Sequence, residues 1–107
     1  MIFGFDNSFY HSMKGFYSPA EATKPAAPQL LICNHILAAR LGLNAAYAED
    51  QLAPVLSGEA TPDGANPLAL AYAGHQFGHF SPQLGDGRAL LLGEVVAPDG
   101  TRFDLQL

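Results

Sequence analysis

Tyr72-Ala73-Gly74-His75-Gln76-Phe77-Gly78-His79-Phe80-Ser81-Pro82-Gln83-Leu84-Gly85-Asp86-Gly87-Arg88-Ala89 sets a short glycine-bracketed turn, with an arginine at its exit, directly before a run of strand-forming residues. Gly85 and Gly87 carry no Cβ, so the backbone there can turn tightly and come close to a ligand. Arg88 adds a permanent charge and a planar donor fork matched to phosphate oxygens. These are the parts of a phosphate-holding loop, although two glycines one residue apart form a common pattern on their own. The plainer alternative is a loop-to-strand turn with a surface arginine. Asp86 reads as a turn holder, its side chain bonding nearby backbone.

After this loop, Ala89-Leu90-Leu91-Leu92-Gly93-Glu94-Val95-Val96 is a continuous apolar run that predicts a strand covered on both faces. Ala97-Pro98-Asp99-Gly100 supplies turn residues. Thr101 to Leu107 then alternates, with Phe103, Leu105 and Leu107 on one side and Arg102, Asp104 and Gln106 on the other. The C-terminal third therefore reads as a β-hairpin led in by the glycine loop. The chain stops within this strand pattern, so the polypeptide is expected to continue, because an isolated hairpin is only marginally stable. Its last strand would leave an unpaired edge.

Before the loop, residues 1–29 are aromatic-rich and irregular and end in a connector containing Pro19, Pro25 and Pro28. Asn34 reads as the N-cap of a short helix with Ile36, Leu37 and Leu41 on its apolar side and Gly42 at its stop. A second helix is predicted over Ala48 to Leu56, with Leu52, Val55 and Leu56 on one face, and a loop follows over 57–66. Asn66-Pro67 fits N-cap and N1 of a third helix running to about Gln76. The expected organisation is α+β in one incomplete domain, 1–107: an irregular lead-in (1–29), a helical segment (30–80), and the loop and hairpin (81–107).

At 107 residues the chain has the size of one small domain or of part of a larger one. Apolar residues make up 49% and charged residues 14%, where about a quarter charged is usual. The deficit implies that some of the surface is covered by something else. A net charge of −5, with Lys14, Lys24, Arg40, Arg88 and Arg102 scattered, argues against nucleic acid as a partner. The single cysteine, Cys33, cannot form an internal disulfide, which favours a reducing compartment. Within Leu30-Leu31-Ile32-Cys33 it reads as a buried, inert thiol. The N-terminus has no signal-like pattern, and no apolar stretch approaches the ~20 residues of a spanning helix. A cytoplasmic location without membrane partners is expected.

Tyr72-Ala73-Gly74-His75-Gln76-Phe77-Gly78, Pro82-Gln83-Leu84-Gly85-Asp86-Gly87-Arg88-Ala89 and Leu92-Gly93-Glu94 together resemble the signature of the selenoprotein O family, whose bacterial members are called YdiU. The flanks agree: Phe5-Asp6-Asn7-Ser8-Phe9, then Asn34, Leu37-Ala38 and Leu41-Gly42-Leu43, then Asp104-Leu105-Gln106-Leu107. The likeness covers essentially the whole chain. Members of the family are several times longer and are described as pseudokinases with a protein-kinase-like fold. They transfer AMP from ATP to Ser, Thr or Tyr hydroxyls of proteins.

The resemblance implies the N-terminal part of a kinase-like lobe in a protein adenylyltransferase that uses ATP and Mg²⁺. Gly85, Gly87 and Arg88 match its nucleotide-contacting loop. The family's catalytic aspartate and Mg²⁺-holding Asn and Asp lie far downstream, so no catalytic or metal residue is assigned here and the chain alone is expected to be inactive. In the family a phosphate-contacting lysine follows Asp-Leu-Gln-Leu, one position past Leu107. Kinases likewise cover the phosphates with a glycine-rich loop and reach them with a lysine on the third strand. ATP is said to bind flipped in this family, which would let a kinase fold transfer AMP and release pyrophosphate.

Two other readings stand beside this one. The chain could be an inactive nucleotide-binding or regulatory piece. It could also be a metal-binding or interaction module built on His75 and His79, which a helix would place on one face. Against the metal, Gly78 and Pro82 interrupt such a helix, and His75 and Gln76 are expected instead as buried polar groups holding the glycine loop. Glu94 has no second acid beside it and reads as a packing or ion-pair residue. The Phe and Tyr residues of 3–17 read as core or docking surface, because basic residues are not interleaved with them.

Overall fold

A computed structural model describes residues 3–43, 49–84 and 90–107. Its elements are, in order, α1 (Ser8–Ser12), β1 (Tyr17–Pro19), α2 (His35–Arg40), a 3₁₀ turn (Glu49–Gln51), α3 (Leu52–Ser57), β2 (Leu68–Leu70), β3 (Tyr72–Gln76), β4 (His79–Leu84), β5 (Leu90–Val96) and β6 (Arg102–Gln106). A four-stranded antiparallel sheet runs β1-β2-β5-β6, and β3 and β4 form a separate two-stranded ribbon. The architecture is α+β, as the sequence predicts.

β5 is the organising strand. It pairs with β6 along most of its length and with β2 at Leu90 and Leu91. Farther along the same edge Phe5 bridges to Val95, and Asp6 N–H donates to the Glu94 carbonyl at 2.8 Å. The register shifts between Leu91 and Gly93, a bulge that leaves Leu92 unpaired with β6. Leu92 joins Phe3, Val55 and Val95 in the core, with Phe5, Leu41, Leu43, Phe103 and Leu105 packed around them. All residues from Leu90 to Val95 are buried, as a strand covered on both faces requires.

The hairpin follows its local signals. Gly100 N–H donates to the Ala97 carbonyl at 2.8 Å, and Asp99 Oδ1 accepts from Thr101 N–H at 2.9 Å. Along β6 exposed and half-buried residues alternate in the expected phase. In α2, Asn34 Oδ1 accepts from Leu37 N–H at 3.0 Å as the expected N-cap, and Gly42 takes a positive φ of 77° at the stop. The second helix appears as the 3₁₀ turn and α3, ending at Gly58 with φ 85°.

Three expectations are corrected. The predicted third helix from Pro67 to Gln76 is strand: Leu68–Leu70 lie between β1 and β5, and Tyr72–Gln76 form one arm of the ribbon. Sheet pairing on both sides and burial of Leu68 to 1% exposure outweigh the local N-cap signal. The helical segment accordingly ends at Ser57. The lead-in is also more regular than expected, containing α1 and β1. Finally, Leu30–Cys33 is not core: Leu31 is 94% and Ile32 87% exposed, and Cys33 is half-buried.

Gly93 packs where no side chain fits. A Cβ there would collide with the Phe5 ring and lie 2.8 Å from Asn7 Oδ1. Gly93→Ala should therefore destabilise by about 1–3 kcal/mol in chemical denaturation. The Asp99 carboxyl is held below its usual value, chiefly by the Thr101 backbone N–H. This stabilisation is present above the ordinary carboxylate range and lost as pH falls through the lowered value. Asp99→Ala should thus lower the melting midpoint at neutral pH and converge with the parent as pH falls below the ordinary carboxylate range.

Candidate functional site

The predicted loop residues Gly85, Gly87 and Arg88 lie outside the described residues, as does Asp86. The frame on either side of them is described. β4 carries the chain to Leu84, and β5 takes it up again at Leu90. Leu90 is buried and paired with Ala69, and its carbonyl accepts from Leu107 N–H at 3.1 Å. The end of β6 therefore lies beside the first residue of β5.

Four residues into β5, Glu94 fixes that strand to the N-terminal segment. Its carboxylate accepts from Phe9 N–H at 2.6 Å and from Ser8 Oγ at 2.9 Å, and Arg102 Nη1 lies 3.7 Å away. The two donors lie in the first turn of α1, where N–H groups lack intrahelical partners. Asn7 makes no cap bond to α1. Its Oδ1 instead accepts from Glu94 N–H at 3.2 Å, and its Nδ2 donates to the Gly64 carbonyl at 2.8 Å. Glu94 thus acts as the helix cap from a distant strand.

Arg102, on the neighbouring strand, completes the cluster. Its Nη2 meets Asp6 Oδ2 at 2.7 Å, and its Nη1 donates to the Asp6 carbonyl at 3.2 Å. The Asp6 bond raises the guanidinium pKa beyond its already high value. Phe5-Asp6-Asn7-Ser8-Phe9 and Leu92-Gly93-Glu94, both quoted above as family-like, are therefore one physical unit. The sequence reading of Glu94 as an ion-pair residue agrees with this geometry, but it missed Asn7 and Ser8 as the partners. A polar Asp-Asn-Ser between phenylalanines was the available signal. With its carboxylate engaged in holding the fold, Glu94 positions β5.

The histidines behave differently from expectation. His75 pairs with Phe80 and Gln76 with His79 across the β3–β4 ribbon, so alternation turns His75 and His79 to opposite faces. The single-face arrangement that a helix would give them is absent. His75 is exposed rather than buried, and so is His79. The Gln76 side chain lies outside the described residues. Phe77 and Gly78 turn the ribbon with φ of 52° and 77°, as a two-residue primed turn requires. Among the described residues no group of three or more His, Cys, Asp or Glu side chains could hold a metal ion. No helix among them is long and apolar enough to cross a membrane.

Glu94→Gln keeps the shape but removes the charge from three partners. It should cost about 1.5–3 kcal/mol in denaturant unfolding, the range for a hydrogen bond to a charged group. Ser8→Ala should cost less, since the Phe9 N–H bond survives.

Comparison with known proteins bears on what this frame carries. A family model described as the protein adenylyltransferase SelO matches residues 2–107. Among curated proteins, the chain is 68% identical to the protein nucleotidyltransferase YdiU of Sphingopyxis alaskensis, over all of this chain and 22% of that protein. It is 56% identical to a protein of the same name from Cereibacter sphaeroides, again over all of this chain and 22% of the relative. The corresponding Bradyrhizobium protein is 54% identical over 98% of this chain. The chain thus spans about a fifth of the length of these relatives. On a family match that runs almost from end to end, this chain belongs to the SelO family.

Proposed function

We propose that this chain supplies part of the nucleotide-binding lobe of a protein adenylyltransferase with a kinase-like fold, working in the cytoplasm on ATP and on protein Ser, Thr or Tyr hydroxyls. In this reading residues 1–107 are a single incomplete domain. Gly85 and Gly87 present backbone N–H groups to the phosphates, and Arg88 offsets their charge. The chief support is the family match over residues 2–107. The surrounding strands favour it too: the loop links β4 to β5, and Leu107 N–H bonds the Leu90 carbonyl beside the loop's exit. A residue following Leu107 in a family member would therefore emerge close to Leu90, and in this reading a lysine there shares the phosphates with Arg88.

The transfer itself has a simple balance. A protein hydroxyl oxygen bonds the α-phosphorus, the bond from that phosphorus to the β-phosphate breaks, pyrophosphate leaves, and the hydroxyl proton is lost. Among the described residues no group of three or more His, Cys, Asp or Glu side chains could hold the ion; in this reading the Mg²⁺ ligands and the group that takes the proton are those the family resemblance puts downstream of this segment. This chain's contribution is to bind and orient the nucleotide. Without those other residues it is expected to be inactive.

In a full-length protein carrying this segment, Arg88→Ala should weaken ATP binding about 10- to 100-fold, the equivalent of one lost charge-assisted hydrogen bond. Unchanged affinity by calorimetry would remove Arg88 from the site. Label from the α-phosphate of ATP should enter acceptor proteins while label from the γ-phosphate leaves as pyrophosphate. Retention of the γ-label on protein would instead identify a phosphoryl transferase.

A further inference from the structure

No residue of α2 is buried, and Ile36 is 87% exposed. The segment before it is equally bare at Leu31 and Ile32. Helices shorter than about 12–15 residues are marginal in water and hold through tertiary packing of an apolar face. The six residues of α2 leave Ile36, one of their two large apolar side chains, outside any packing. Alongside runs a groove of about 240 Å³, lined among others by Phe3, Ile32, Cys33, Leu37, Leu52 and Leu56. None of its lining residues is charged. Contiguous exposed apolar surface of this kind marks a contact site.

We infer that this face is the seat of an apolar segment of the same polypeptide, contributed by the part of a full-length family member outside residues 1–107. That segment fills the groove and covers Leu31, Ile32 and Ile36. The choice of occupant rests on length and chemistry. The chain spans 22% of its full-length relatives, so most of such a polypeptide lies outside it and is present at fixed stoichiometry in every molecule. A face this apolar calls for a permanent contact, because permanent contacts are the more hydrophobic class. The uncharged groove also offers nothing to a phosphate or an acidic peptide. The low charged content of the chain, 14%, points the same way.

The test uses the full-length Sphingopyxis relative with its matched residues replaced by this 68% identical chain. Cys33 lines the groove and is a native reporter, its alkylation followed peptide by peptide in mass spectrometry. In the folded monomer Cys33 should react roughly tenfold or more slowly than in urea, independently of protein concentration. A second reporter, Ile36→Cys, should be slowed likewise. Cys33 is already half-buried within this chain, so Ile36→Cys, at a position 87% exposed here, is the deciding reporter, and unchanged Cys33 protection shows that the variant is folded. Reaction of Ile36→Cys in the folded monomer at the unfolded rate would overturn the inference. Protection that rises with protein concentration and tracks dimer formation would assign the face to a second copy and overturn it as well. So would protection that requires an added protein.

Discussion

The carboxylate of Glu94 is the point on which the described structure depends. It is buried on the central strand and would be costly to desolvate without compensation. Compensation comes from a backbone N–H and a hydroxyl at the start of α1, with the Arg102 guanidinium close by. Once those donors are in place, the N-terminal segment cannot leave β5 without stranding a buried charge. Gly93 is part of the same constraint, because the Phe5 ring occupies the space that a side chain there would need. Two stretches more than eighty residues apart in sequence are thereby fixed as neighbours.

That fixation gives β5 its two covered faces. One holds the apolar cluster of Phe3, Val55, Leu92 and Val95, and the other carries the polar attachment to α1. The bulge at Leu92 lets that residue share the cluster with Val95, three positions on, where strict alternation would put the two on opposite faces. β6 adds the second flank and brings Arg102 to Asp6. The positions proposed to meet nucleotide are joined directly to the most firmly embedded strand of the sheet.

What was legible in the sequence was local. The Ala97–Gly100 turn, the alternation of β6 and the Asn34 cap each depend on residues within a few positions of one another, and each appears as read. Leu68–Leu70 was misread because its strand character comes from Tyr17–Pro19 and Leu90–Leu91, which propensity cannot see. The same distance hid Ser8 and Asn7 as partners of Glu94. The helix expected to reach Gln76, with His75 buried, gives way to a ribbon because a two-residue turn at Phe77-Gly78 is the controlling feature. Of the candidate site, the glycines and arginine were nameable from motif likeness, while the anchoring of the strand behind them needed the fold.

The ribbon tip has a consequence for the stretch it leads into. Phe77 adopts a left-handed backbone that disfavours a bulky side chain by about 1–2 kcal/mol, and its ring is almost wholly in solvent. A two-stranded ribbon with a strained apex is an inexpensive element to deform. β5, by contrast, is gripped along both edges. The two elements that flank positions 85–89 in sequence therefore differ in stiffness, a compliant ribbon before them and a firmly held strand after them. A load on the ribbon would bend it before it moved the four-stranded sheet.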